Sequence, residues 1–420
     1  MGGGPAGLYF SILMKLRNPG YEITVYERSQ AGSMAGWGVT LDRGLLGRMQ
    51  REDRDSAERL RAASYVWTQQ VAQVRGAEVV EDGGDEFNIS RRRMLDILAS
   101  RAEKLGVRIE HDVKIANPSQ LPDADLIVAA DGVNSALRSA VDGFKTDTSL
   151  GANKYIWLGT DKVFDTFRFI FKETDHGWVW AHTYGIGADS STFIVECSER
   201  TWAGLGFGTM SMSEALPVLE ALFKEDLDGH QLIGKLGNSE ARWVNFRTVS
   251  NKHWHSGNVV LIGDSARTVH FSVGLGTAFA IQDAICLADY VQAKPDLETA
   301  FTSYERKRKR QLVMRLLEAG YSRRWLENVN KHIDMKPQHF GTLLYARRSP
   351  LVARLPPRVS YVLLRGSRKF HIVNMARYLF APAVKVFYLL PGVARPNDEL
   401  GEDAQLAPGS QSLSSQSLSR

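Results

Sequence analysis

A chain of 420 residues, 44% hydrophobic and 24% charged, has the length of two or three domains and the balance of a folded globular protein, which excludes wholesale disorder, a collagen-like rod and a polytopic membrane protein. Two cysteines, Cys197 and Cys286, exclude a disulfide framework or a cysteine-rich zinc module and make a reducing compartment the expectation. The net charge is +5, but residues 351–397 hold eight basic residues and no acidic one, so the rest of the chain is net negative and a general nucleic-acid-binding surface is disfavoured.

The first residues, Met1-Gly2-Gly3-Gly4-Pro5, lack the basic stretch and apolar run of a signal peptide, so a cytoplasmic location is expected. Gly2 to Gly7 spell G-x-G-x-x-G. Leu8, Phe10, Ile12, Leu13 and Leu16 follow at helical spacing, with Pro5 in a first turn that needs no donor there. Such a loop follows a buried strand, and none precedes Gly2 in the sequence. The expectation is a chain short at its N-terminus, stabilised by about five to eight added upstream residues rich in Val and Ile, because a sheet lacking that strand keeps two unpaired edges. Residues 21–27 (YEITVYE) alternate as a strand, residues 94–105 read as a helix, and residues 107–110 as a short strand. Two apolar runs, residues 126–130 and 259–262, each end in a small or acidic turn. Strands alternating with helices predict a doubly wound α/β sheet. The middle differs: residues 154–160, 167–171, 177–184 and 191–197 are successive strand-like runs with little helix between them, which predicts an antiparallel sheet inserted between parts of the parallel one. Beyond Thr277 the pattern is helical through residues 301–328, and residues 401–420, with QSLS twice, read as disordered.

Three short motifs carry the chemistry. In the first, Gly2 permits a tight turn, Gly4 lets the backbone approach a pyrophosphate, Gly7 lets helix and strand close up, and the helix N-terminus offers free N–H groups to the anion. Glu27 stands 20 residues past Gly7 at a strand end, where a carboxylate can bind both hydroxyls of a ribose; alone, it reads equally as a surface turn residue. The second motif, Asp131-Gly132-Val133-Asn134-Ser135-Ala136-Leu137-Arg138, follows an apolar run directly. The third is Gly263-Asp264-Ser265-Ala266, followed by Gly274-Leu275-Gly276-Thr277. Asp264 can accept from a polyol such as a ribityl chain, while Gly274, Gly276 and Thr277 open a helix whose positive end can face an anionic ring. No metal is expected, since His253 and His255 flank Trp254 without further ligands nearby, and no G-x-S-x-G suggests a hydrolase elbow.

Together the three motifs, in this order, resemble the fingerprint of the group A FAD-dependent aromatic hydroxylases over roughly residues 1–350. Gly36-Trp37-Gly38-Val39, residues 151–160 (GANKYIWLGT), residues 191–197 (STFIVEC) and residues 270–277 (HFSVGLGT) resemble the branch that holds salicylyl-CoA hydroxylase and the violacein-pathway hydroxylases. Arg267 stands where many members have His, and His270 and Phe271 where many have Pro. The resemblance implies non-covalent FAD held by Gly2, Gly4, Gly7, Glu27, Arg28, Arg91, Asp131, Asp264, Gly274, Gly276 and Thr277, with Arg91 reaching the pyrophosphate. It also implies NADPH or NADH as reductant, O2, a flavin hydroperoxide, and a small aromatic substrate of indole or aryl-CoA type. His270 is the candidate proton acceptor or hydrogen-bonding group for the substrate and Phe271 the candidate wall of the active site.

The implied plan is a doubly wound Rossmann-like FAD-binding domain in two parts (1–150 and 251–300). An antiparallel β-sheet substrate domain is inserted between them (151–250, with about 64–90 as a further part). A helical C-terminal region (301–349) and a basic apolar tail (350–400) follow. In the tail, residues 378–390 are too short for a span of about 20 apolar residues; an interfacial helix on an anionic membrane and a cap packed on the body are both open readings. Three rivals to the hydroxylase reading stay open. A flavin-dependent halogenase shares the fold, but Trp178-Val179-Trp180-Ala181-His182 departs from its W-x-W-x-I-P signature. A pyridine-nucleotide dehydrogenase leaves Asp264 without a role, and a non-catalytic or membrane-associated remnant would fit the absent strand and the basic tail.

Overall fold

The computed structural model describes residues 2–32, 36–237 and 239–370. One compact unit ends at Tyr361 and a second begins at Val362. In chain order α1 (Pro5–Arg17) is followed by β1 (Thr24–Tyr26), β2 (Gly38–Asp42), α2 (Arg43–Glu52), α3 (Arg54–Ala62), β3 (Tyr65–Val74), β4 (Ala77–Ser90), α4 (Arg91–Lys104), β5 (Arg108–Glu110), β6 (Ile127–Ala129) and α5 (Ala136–Ala140). The middle gives β7 (Thr146–Thr160), β8 (Phe167–Thr174), β9 (Gly177–Gly185), β10 (Ser191–Ser198), α6 (Glu199–Gly204), α7 (Met212–Leu222), α8 (Lys224–Leu227), β11 (Leu232–Ile233), β12 (Lys235–Leu236), β13 (Ser239–Glu240) and β14 (Val244–Asn251). Then come β15 (His255–Ser256), β16 (Val259–Leu261), α9 (Gly276–Ala293), α10 (Leu297–Glu327) and α11 (Pro337–Tyr345).

The α/β plan and its inserted antiparallel sheet are both present. β1 pairs with β5 and β16 with β6, each pair parallel. α1, α4 and α9 pack around these strands through Leu8, Ile12, Leu98, Ile281 and Ala284, all buried. β1 and β6 both line a groove of about 630 Å³ whose walls include Phe10, Met14 and Leu126. Among the described residues no strand pairs with the free edges of β1 and β6.

The inserted sheet runs β11-β7-β10-β9-β8-β3-β4-β2, with β14 also on β7, and among the described residues its one parallel pair is β3 with β8. Residues 65–90 thus lie in the same sheet as residues 146–198. Strand side chains alternate between faces, and here the two faces have opposite character. Ile156, Leu158, Ile170, Val179, Phe193, Val195 and Cys197 form one apolar face, buried with Leu219, Phe223 and Leu227 of the α7–α8 segment. Tyr155, Trp157, Phe169, Trp180, His182, Tyr184, Thr192 and Glu196 fall on the other face, in register across β7, β10, β9 and β8. Aromatic and ionisable groups on that second face build the site.

The basic stretch 351–397 is described only to residue 370, as helices Pro350–Arg354 and Pro357–Phe370. The readings made for residues 378–390 and 401–420 lie outside the described residues. No helix among the described residues is long and apolar enough to cross a membrane.

Candidate active site

The first glycine loop is folded by contacts that exclude a side chain. A Cβ on Gly2 would stand 2.2 Å from the Ala130 carbonyl oxygen, and one on Gly7 2.1 Å from the Gly2 oxygen. These clashes hold the loop against the end of β6 and α1 against the loop. Gly4, by contrast, has open space where its Cβ would be. It is the N-cap of α1 and Pro5 is the first helical residue, so the open face of Gly4 adjoins helix-start N–H groups that lack intrahelical partners. Glu27, at the end of β1, turns its carboxylate back onto this loop: Gly3 N–H donates to Oε2 at 2.7 Å and Ser29 N–H to Oε1 at 2.9 Å. Arg28 is exposed and points to no described partner.

The other two motifs meet the first. Asp131 Oδ2 accepts from the N–H groups of Ala136 and Leu137, capping α5, while its buried Oδ1 has no partner. Arg138 joins motif two to motif three by donating to the Ser265 carbonyl at 3.1 Å and the Val133 carbonyl at 2.7 Å. Arg91 opens α4, and its Nε is buried without a hydrogen-bond partner. Burial pulls its pKa down against the carboxylates of Asp264 and Glu27, which places Arg91 between the first and third motifs. Asp264 has its carboxylate exposed in this cleft. The protein crowding it pushes its pKa up, opposed by Arg267 and Arg91 and aided by Asp283.

Beyond Asp264 the chain crosses the second face of the inserted sheet. His270 is buried and Phe271 half-buried; Phe271 packs on Tyr155, His182 and His270 at ring separations of 4.5, 5.6 and 4.4 Å. His270 Nδ1 lies 2.8 Å from Ser272 Oγ, and burial pushes its pKa down to about 4. Gly274 takes φ +68°, the left-handed conformation that glycine adopts without strain. Gly276 and Thr277 then start α9, both half-buried. Beside this loop is a cavity of about 350 Å³ lined by Trp67, Phe167, His182, Tyr184, Phe271 and Arg347, with Asp42, Glu81, Asp82 and Glu86 also on its walls.

The chain matches the family of FAD binding domains over residues 1–315. It is 34% identical over 305 residues to the 3-hydroxy-4-methyl-anthranilyl-[aryl-carrier protein] 5-monooxygenase of Streptosporangium sibiricum, an alignment covering 72% of this chain and 81% of that one. The chain belongs to the group A FAD-dependent aromatic hydroxylases. Identity is 33% over 343 residues to the salicyloyl-CoA 5-hydroxylase of a Streptomyces species, covering 79% of this chain, which spans 66% of that protein's length. The protodeoxyviolaceinate monooxygenase of Chromobacterium violaceum is 29% identical over 87% of this chain and 99% of its own. Among solved structures, a tetrameric form of 2-methyl-3-hydroxypyridine-5-carboxylic acid oxygenase shares the fold with a TM-score of 0.66 at 20% identity, over 85% of this chain and 95% of that one.

The residues present fit the family's cofactor. The open space at Gly4, the orphaned Arg91 Nε and the exposed Asp264 carboxylate are complementary to a pyrophosphate and a polyol. The chain also holds supports that its motifs did not disclose. Arg267 and Arg308 both pair with buried Asp283, at 2.8 and 2.7 Å. Asp283 also accepts from Gly263 N–H at 3.0 Å, so this triad fixes the turn that presents Asp264. Arg347 donates to the Ser272 carbonyl at 2.8 Å and Arg348 to the Val273 carbonyl at 3.1 Å, bracing the Phe271 loop from α11's end. Trp37 lies where a Cβ on Gly159 would be, 2.4 Å away, which joins the Gly36–Val39 run to residues 151–160. His182 was visible in sequence only as the end of a signature mismatch, and Glu196 only inside an apolar strand.

Proposed function

We propose that this hydroxylase uses NADPH or NADH and O2 to place one oxygen on an electron-rich aromatic substrate, an indole-type ring or an aryl group carried as a thioester. The observation that carries this reading is the junction of two sites. The cradle at Gly4, Arg91 and Asp264 leads along one loop to Phe271, which walls a cavity of aromatic lining. FAD, when bound, supplies the redox chemistry, taking electrons from the nicotinamide and passing oxygen to the ring.

The chain's own residues bind and enclose. Gly4 and the start of α1 take the pyrophosphate with Arg91, Glu27 takes a ribose, Asp264 takes the polyol, and Gly274, Gly276 and Thr277 present the N-terminal end of α9. Asp131 holds the second motif in place through α5. The aromatic walls exclude water and keep the ring in line. His270, engaged by Ser272 and stacked on Phe271, holds that wall; His270→Ala should keep flavin and nicotinamide oxidation but release more peroxide per product. The test of the reading is nicotinamide oxidation by purified protein against indoles, phenols and aryl-CoA thioesters, with product masses scored for one added oxygen. Flavin-loaded protein that adds oxygen to none of them would overturn it.

The basic stretch 351–397 serves, in this proposal, a surface contact such as an anionic membrane, and not catalysis. Truncation after Tyr361, the end of the first compact unit, should leave turnover intact and reduce sedimentation with phosphatidylserine vesicles. Unchanged sedimentation would remove the membrane reading.

A further inference from the structure

The second face of the inserted sheet buries a carboxylate that the cofactor cradle does not use. Glu196 on β10 is 1% exposed. Asn153 Nδ2 donates to its Oε1 at 2.8 Å, Trp180 Nε1 donates to its Oε2 at 3.2 Å, and His182 Nε2 stands 3.2 Å from the same Oε2. A buried ionised carboxylate is tolerated where donors surround it. Burial pushes Glu196 up, but His182, His270 and Asn153 outweigh it and hold the group below the ordinary carboxylate range. His182 is pulled below the usual imidazole range by burial, against the pull of Glu196. With Asn153 and Trp180 already donating to it, Glu196 is the acceptor in its contact with His182 as well. Glu196 can only accept, so Nε2 of His182 carries the hydrogen and Nδ1 carries the lone pair. No described residue hydrogen-bonds Nδ1, and His182 lines the 350 Å³ cavity, which His270 does not.

We propose that His182, oriented by Glu196, is the catalytic residue that accepts the proton of the substrate's activating hydroxyl or N–H. The proposal rests on the hydroxylase reading and adds the residue that faces the substrate. The step breaks one O–H or N–H bond of the substrate and forms one N–H bond at Nδ1. Nε2–H of His182 goes on donating to Glu196 Oε2, and the carboxylate stabilises the resulting imidazolium. The lone pair left on the substrate oxygen or nitrogen enriches the ring carbon that takes oxygen. On rearomatisation that carbon's own proton is released and the imidazolium returns its proton to the substrate heteroatom. Neither residue changes oxidation state; the two electrons come from the nicotinamide, one oxygen atom of O2 enters the ring, and the other leaves as water, which takes up the released ring proton. Besides Glu196, the charged or titratable groups acting on His182 are Arg347, beyond the end of α11, and His270, on the Phe271 loop; both oppose a second positive charge. Glu196 is thus the one group that favours protonation.

The test uses FAD-loaded protein and its His182→Gln and Glu196→Gln variants. With ring-15N histidine labelling, the signal that disappears in His182→Gln should show a neutral ring protonated at Nε2. A ring protonated at Nδ1 has no lone pair to offer and would overturn the proposal whatever the substrate is. With any phenol or indole that the wild type hydroxylates, His182→Gln should lower product formation by about 100-fold or more, the range of general-base catalysis, while flavin reduction by the nicotinamide stays within twofold. Glu196→Gln should lower product formation by about tenfold and displace the acid limb of its pH profile. Wild-type hydroxylation by His182→Gln would also overturn the proposal. Failure of the wild type to hydroxylate any compound would strike the underlying reading instead, and the nitrogen spectrum would still decide the orientation of His182.

Discussion

The cofactor cradle and the substrate cavity are built by different means. The cradle uses backbone and short-range geometry: Gly2 and Gly7 are required because a Cβ would strike a carbonyl 2.2 or 2.1 Å away, and the second and third motifs directly follow β6 and β16. The cavity uses side chains spaced two apart on successive strands, with Phe169, His182 and Glu196 brought together only by register. Loops of contiguous residues hold a constant ligand, while a sheet face can change one side chain at a time without disturbing the ladder. That division lets one scaffold keep its cofactor and vary its substrate.

The strongest way to break the cradle is through the buried triad beneath it. Asp283→Ala leaves Arg267 and Arg308 buried without their shared carboxylate, and removing one partner of a buried pair costs roughly 3–5 kcal/mol. Melting temperature should fall by several degrees, and flavin content should fall with it because the Asp264 turn loses the acceptor for Gly263 N–H. An unchanged melting curve would show that the triad is not a support.

Asp264→Ala separates binding from folding. A charge-assisted hydrogen bond contributes roughly 1.5–3 kcal/mol, so flavin retention, read from absorbance per protein, should fall about ten- to a hundredfold. The exposed carboxylate supports no core packing, so the flavin-free protein should melt as the wild type does. Full flavin on purification would remove Asp264 from the cradle.

The same contrast explains what the sequence disclosed. Strands 154–160, 167–171, 177–184 and 191–197 were legible because alternation and apolar content mark them, and they extend by a few residues at most at seven of their eight ends; β7 alone begins well earlier, at Thr146. The three motifs were legible because glycine and aspartate at fixed offsets leave few other physical readings. The inclusion of β2, β3 and β4 in one sheet with β7–β10 depends on pairing between distant segments, which local pattern does not encode. Asp283 sits inside the apolar helix α9 and Arg308 on α10; only the fold makes them partners. His182 and Glu196 were hidden for a related reason, since a buried ionisable pair across neighbouring strands looks, in sequence, like two polar breaks in apolar runs.

His270 tests the wall between the two halves. Its pKa is pushed from an ordinary 6.5 down to about 4 by burial, partly opposed by Glu196. The unfolded chain therefore binds this proton more readily than the folded one, so the contribution to stability is present above pH 6.5 and is lost as pH falls toward 4. His270→Gln should flatten the acid side of the melting-temperature profile between those values. A slope identical to that of the wild type would show that His270 is hydrated or paired in the folded protein.

The smallest expected effect is at Glu86 on the cavity wall, and it has the opposite sign. Burial and the neighbouring Asp42 carboxylate raise Glu86 to about 7, against the pull of Arg348. The folded protein then holds this proton where the unfolded chain has released it. Its contribution is present below about pH 4.5 and is lost as pH rises toward 7. Because the side chain is part-exposed and salt screens it, the slope is shallow. Glu86→Gln keeps the shape of the neutral acid and cannot ionise, so it should match the wild type at pH 5 and melt slightly higher at pH 7.5. It should also leave flavin content unchanged, because Glu86 faces the cavity and not the cradle. A loss of flavin in this variant would show that the two halves are energetically one site and would break the comparison; a gain at pH 7.5 alone sharpens it.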